Sequence, residues 1–193
     1  MSVATPQETL PLSAQLKQET AAQHERLDKR IMALSPFADR GRFTRFARMQ
    51  TRLSLVTAPL YGSAECQRWL PSLADDDRLA KVLADCRDLG VTEAELAEDV
   101  VAANAVPTPQ GRAALGWIYT QEGSSMGAAI LFRIAREQLG LSETFGARHL
   151  AGQPEGRARY WRSVTADLDA LKLDEQCCDC WRPGGLRFCL SIG

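Results

Sequence analysis

Apolar residues recur every three to four positions along nearly all of this chain, and alternating β-branched runs do not occur. That rhythm predicts helices and no sheet. Ser13 can cap a first helix running to about residue 34, with Leu16, Thr20, Leu27 and Ile31 on its inner face, before Pro36 stops it. Asp39 is placed to cap a second, from about 42 to 61, with a stripe of Phe43, Phe46, Leu53 and Val56. The polar Gln50 lies on that same stripe. Shorter helices follow at about 65–70, 78–89 and 92–101, the last opened by the Thr92…Glu95 spacing of a capping box. Beyond Pro107 and Pro109 a long helix runs to residue 139 and closes at Gly140, and a final one spans 157–171. Residues 142–150 read as short and irregular. The expected architecture is all-α and single-domain: a flexible lead over 1–12, the folded body over 13–176, and a Cys-rich tail over 177–193.

One helix breaks its own pattern. Within GWIYTQEGSSMGAAILFR at 116–133, Gly123 and Gly127 stand one turn apart, and each costs a helix about 1 kcal/mol relative to alanine. Tyr119, Gly123 and Gly127 are spaced i, i+4, i+8 and so share a face. Such a strip serves a close helix–helix crossing, or lets something flat lie directly against backbone.

Composition narrows the classes without choosing one. With 193 residues, 45% hydrophobic content and a formal net charge of −1, the chain has the make-up of an ordinary globular domain. No basic excess points to nucleic acid, and no apolar run approaches the ~20 residues that span a bilayer. The first fifteen residues lack the blocks of a signal peptide, so cytoplasm is the expected address and a monomer the expected state. Cys66 and Cys86 read as small apolar residues. Cys177, Cys178, Cys180 and Cys189 crowd the tail without the paired C-x2-C spacing of zinc sites.

Candidate chemistry centres on His24, one of two histidines. It follows Lys17 by seven residues, which places the two side chains about 20° apart and about 10.5 Å along the axis. That offset suits a metal ligand beneath a planar macrocycle and a cation reaching its carboxylates, although a helical histidine is more often packed or solvated. His149 is expected to hydrogen-bond structurally. Arg148 and Arg157 are expected to pin loops, Trp117, Trp161 and Phe132 to fill the core, and Asp75–Asp77 to form a solvated turn. There is no phosphate loop, no G-x-S-x-G elbow and no nicotinamide fingerprint.

Four segments, in order and with compatible spacing, resemble the haem oxygenase family: LKQETAAQHERLD at 16–28, PFADRGRFTRFARMQ at 36–50, the glycine helix at 116–133 and FGARHLAGQPEGRARYW at 145–161. The likeness is greatest to its bacterial branch in Gram-negative iron acquisition and runs over about residues 12–176. It implies haem held between a proximal and a distal helix, with haem both substrate and cofactor, O2 as co-substrate, and biliverdin, iron and carbon monoxide as products. His24 matches the proximal iron ligand, Gly123 and Gly127 the distal glycines, and Lys17 and Tyr119 the propionate anchors. Met32 and Ile134 stand where relatives giving other isomers carry lysines, so the resemblance implies the α isomer. Gln50 and Arg78 match a distal water network, and Arg133 is placed for propionate contact. Ser124 and glycine backbone would supply weak distal donors; peroxidase chemistry would instead need a strong acid–base side chain there. Electrons would come from a separate ferredoxin or flavin reductase. A haem-binding or haem-sensing protein without turnover is the alternative, because the tail replaces a helix that family members carry.

Overall fold

The structure, a computed structural model, describes residues 10–74, 77–152 and 156–171. Residues 1–9, Asp75 and Asp76, and the tail expected over 177–193 lie outside the described residues. Seven α-helices are described: α1 Leu12–Ala33, α2 Arg40–Tyr61, α3 Ala64–Trp69, α4 Arg78–Asp88, α5 Glu93–Asn104, α6 Arg112–Leu139 and α7 Arg157–Ala170, with a 3-10 turn at Arg148–Leu150. The all-α expectation holds, and the helix ends fall within a few residues of those the pattern predicts.

Local chemistry explains most of the ends. The Asp39 side chain accepts the Arg42 N–H at 2.7 Å and opens α2. Thr92 and Glu95 form the full capping box of α5. Gly140 closes α6 in the left-handed conformation, at φ 66°, and the Arg40 guanidinium donates to the Leu139 carbonyl beside it. At α1 the expectation needs correcting. The helix starts at Leu12 behind Pro11, and Ser13 sits inside the first turn. Its N–H and hydroxyl both donate to the Asp169 carboxylate, at 2.8 and 2.9 Å. The cap comes from α7, not from the helix's own residue.

Two apolar clusters dominate the interior. The larger joins Leu16 of α1, Val56 and Leu60 of α2, Leu115 and Ile118 of α6 and Tyr160, Val164 and Leu168 of α7. The second packs Phe37, Phe43 and Phe46 against Ala128 and Ala135, small residues that let α6 approach the aromatic face of α2. Cys66 and Cys86 are buried thiols, as expected. Burial pushes both up from the ordinary thiol range. Among the described residues no helix is long and apolar enough to cross a membrane.

The exception to this close packing is α1. It lies chiefly against α7, and of its twenty-two residues only Leu16 is buried. Thr20, Leu27 and Ile31, expected on the inner face, are half-exposed. That face has been left open.

Candidate functional site

His24 stands on this open helix with 62% of its side chain exposed, and its Nδ1 lies 3.0 Å from the Asp28 carboxylate one turn on. A carboxylate there fixes the ring's orientation and tautomer and leaves Nε2 uncommitted. Lys17 is exposed seven residues before His24, and Ile31 follows seven residues after, so all three share a face. Beyond Ile31 that face runs into a cavity of about 610 Å³ between the end of α1 and α2. Its lining includes the apolar Leu34, Pro36, Phe46 and Met49, and the arginines Arg42, Arg45, Arg48 and Arg52.

The glycine strip of α6 divides in two. A Cβ added at Gly123 would meet the Trp161 ring at 3.4 Å, the tight end of van der Waals contact. A Cβ at Gly127 would meet nothing within 4 Å. Tyr119 leans on the same Trp161, with ring centroids 5.3 Å apart, and burial pushes its phenol up, so it stays a proton donor. Trp161, expected in the core, is instead a half-exposed residue at the edge of the strip. Open backbone on α6 therefore begins at Gly127. Beside it Met126 and Ile130 are 40% and 58% exposed, large apolar side chains without a covering element. The Ser124 hydroxyl, an expected distal donor, donates to the Gln121 carbonyl of its own helix at 2.7 Å. Arg133 is exposed.

Behind the strip α6 carries buried charge. Glu122 is 1% exposed; its Oε1 accepts the Tyr61 hydroxyl, and the Arg78 guanidinium at 2.6 Å. Arg78 also donates to the Gln121 carbonyl at 3.2 Å and lies over the Tyr61 ring. Arg78 thus touches α6 at the turn before Gly123, while Gln50 sits half-buried on α2. His149 is part of a separate structural network. Its Nδ1 meets the Asp85 carboxylate at 2.7 Å and its ring packs on Phe43 and Phe46. Arg148 binds Asp85 and Asp88, and Arg157 donates to the Ser125 and Leu150 carbonyls.

A model of the family described as Heme oxygenase matches residues 10–179. The chain belongs to the haem oxygenase family. Heme oxygenase PigA of Pseudomonas aeruginosa is 38% identical to it over 164 residues, covering 85% of this chain and 80% of that protein. The fold is similar to that of the NO- and CO-bound heme oxygenase from Neisseria meningitidis, with a TM-score of 0.80 and 30% identity, over 95% of this chain and 88% of that one.

The residues present fit the substrate of a haem oxygenase. Among the described residues no group of three or more His, Cys, Asp or Glu could hold a bare ion. His24 would offer iron a single protein ligand, with the remaining ligands coming from a macrocycle. The uncovered face of α1, the open backbone at Gly127 and the exposed apolar pair Met126 and Ile130 are the surroundings such a flat apolar ring needs. Sequence reasoning missed Asp28, although its i+4 spacing from His24 was visible. It also missed Glu122 and Tyr61, whose meeting across sixty-one positions has no local signal.

Proposed function

We propose that this protein is a haem oxygenase that opens haem with O2 to biliverdin, ferrous iron and carbon monoxide. The observation that carries the reading is His24, oriented by Asp28 on the open face of α1, in a chain of this family. Haem, when bound, supplies both the iron at which O2 is activated and the ring that is cut. The protein's residues bind, orient and exclude. His24 holds the iron through Nε2 and leaves the opposite side of the ring to α6. Gly127, with no side chain, admits backbone close to that side. Met126 and Ile130 cover the ring edge and keep water away. Ser124, its proton committed to the Gln121 carbonyl, offers lone pairs and no acid. Ser124 would therefore not supply the strong acid–base group that peroxidase chemistry needs.

The orientation of the ring decides the isomer. Lys17 and the protonated Tyr119 are assigned to the propionates, with Arg133 as a further cation. Met32 and Ile134 offer no charge to hold another rotation, so the α isomer is the assigned product. Gln50 and Arg78 are assigned to ordering distal water. A ferredoxin or flavin reductase supplies electrons, the setting is the cytoplasm, and the products serve either iron acquisition or chromophore supply.

Haemin added to the purified protein should give a Soret band that decays on addition of ascorbate or a reductase system, with biliverdin absorption rising. A Soret band that persists would make the protein a haem binder without turnover, and no spectral change would remove both. His24→Ala should abolish decay. Chromatography of the product reads the isomer, and a β or δ product overturns the Lys17 and Tyr119 assignment.

A further inference from the structure

Tyr119 and Gly123 lie one turn apart on α6, and one side chain of α7 touches both. The Trp161 ring centroid is 5.3 Å from that of Tyr119 at an interplanar angle of 54°, within the range in which aromatic pairs attract. The far edge of the same indole, Cη2, stands 3.4 Å from where a Gly123 side chain would begin. Gly127, a further turn on, has nothing within 4 Å of that point. The Tyr119 hydroxyl makes no hydrogen bond among the described residues, so its direction is set by packing. Trp161 is itself firmly placed. Tyr160, Val164 and Leu168 bury the inner face of α7, and Arg157, one turn before Trp161, donates to the Ser125 carbonyl at 2.9 Å.

We infer that Trp161 is a positioning residue that fixes how haem is seated: it props the Tyr119 phenol in one direction and closes the strip at Gly123, leaving open backbone at Gly127. The inference rests on the haem reading above and on the assignment of Tyr119 to a propionate. A haem ring is flat and close to symmetric. Its rotation is decided by whatever holds its charged edge groups, and its place along α6 by where backbone is bare. Without the indole the phenol is free to swing, and Gly123 becomes a second bare site about 6 Å from Gly127 along the helix axis. Two seatings then compete where there was one. Trp161 acts through Tyr119 and Gly123, not on the iron.

Proton NMR of the ferric haem complex with cyanide resolves the haem methyl signals of each seating and needs no turnover. The unaltered protein should show one dominant set; two comparable sets would already overturn the proposal. Trp161→Leu keeps an apolar side chain against α6 and removes the ring. The share of the minor set should then rise about fivefold, the scale of one aromatic pair, and the biliverdin isomers should become mixed in step. Trp161→Phe keeps a ring beside Tyr119 without the reach to Gly123 and should fall between the two. A Leu variant whose signals match those of the unaltered protein overturns the proposal even if its melting temperature falls, because that result assigns Trp161 to packing alone. A Phe variant as mixed as the Leu variant denies the ring a role and overturns it too. Should the Leu variant lose its helical circular dichroism, the Phe variant decides, and an unmoved minor set there is the overturning result. If the unaltered protein forms no haem complex, the haem reading falls; a complex that forms but ignores Trp161 sinks this inference alone.

Discussion

Gly127 and Gly123 are the same residue one turn apart, yet they should answer mutation differently. At Gly127 an added methyl meets nothing, so Gly127→Ala should raise the melting temperature of the unloaded protein through a helix-propensity gain of up to about 1 kcal/mol. The same methyl stands where haem is assigned, so haem affinity should fall; a titration of both variants checks this. Gly123→Ala would set its methyl in ordinary contact with the Trp161 ring and should stabilise by a similar amount, with a smaller loss of haem affinity because the indole already covers that position. Asp28→Ala tests the other side of the site. Without the carboxylate at Nδ1, haem affinity should drop about tenfold or more while helix content stays unchanged. Equal affinity would mean the 3.0 Å contact does not orient the ring.

At the scale of elements, contacts between distant helices carry what helical periodicity cannot. The Ser13–Asp169 clasp ties the start of α1 to the end of α7 across 156 positions. Asp169→Ala should cost about 1 kcal/mol, as loss of a helix cap does, read in urea denaturation and as faster amide exchange confined to the first turn of α1. Asp99 of α5 is a stronger case. Fully buried, it takes Arg48 at 2.8 Å and Arg52 at 2.7 Å from α2. Asp99→Ala leaves Arg52 without this partner and Arg48 with Glu95 and Glu98, and should destabilise by about 3 kcal/mol; a loss below about 1 kcal/mol would mean the remaining contacts suffice. The helices themselves were legible because caps and stripes are local: Asp39, Thr92 with Glu95, and Gly140 all act within a turn. The cap on α1 was not, because its carboxylate belongs to another helix. Gly123 could not be told apart from Gly127 for a related reason: nothing near it in sequence announces Trp161. His24 and Lys17 needed only helical geometry and the family likeness to stand out.

Over the whole molecule, acid should be the condition that opens the fold. Asp85 joins α4 to the segment carrying Arg148 and His149. Burial pushes its carboxyl up, but hydrogen bonds from the His149 ring and from the backbone bring it below the ordinary value. Glu93 is lowered by its hydrogen bond from Arg87, and Glu95 by its bonds from Thr92. A carboxyl whose folded pKa lies below its unfolded one contributes stability at neutral pH, and that contribution is lost as the pH falls through the folded pKa. Unfolding free energy should therefore be flat near neutrality and fall below about pH 4, and Asp85→Asn should be less stable at neutral pH with a shallower acid slope. An acid slope unchanged by that substitution would place the acid sensitivity elsewhere.

The under-packed first helix has a consequence for supply and demand. With Leu16 its only buried residue, α1 leans chiefly on α7, and on the proposed reading bound haem would complete its packing. A ligand that binds only the folded chain raises stability with its concentration, by about 2.7 kcal/mol at a hundredfold excess over the dissociation constant. On that reading each turnover would remove the support. Limited proteolysis of the unloaded protein should therefore cut α1 before the other helices, and added haemin should slow that cut.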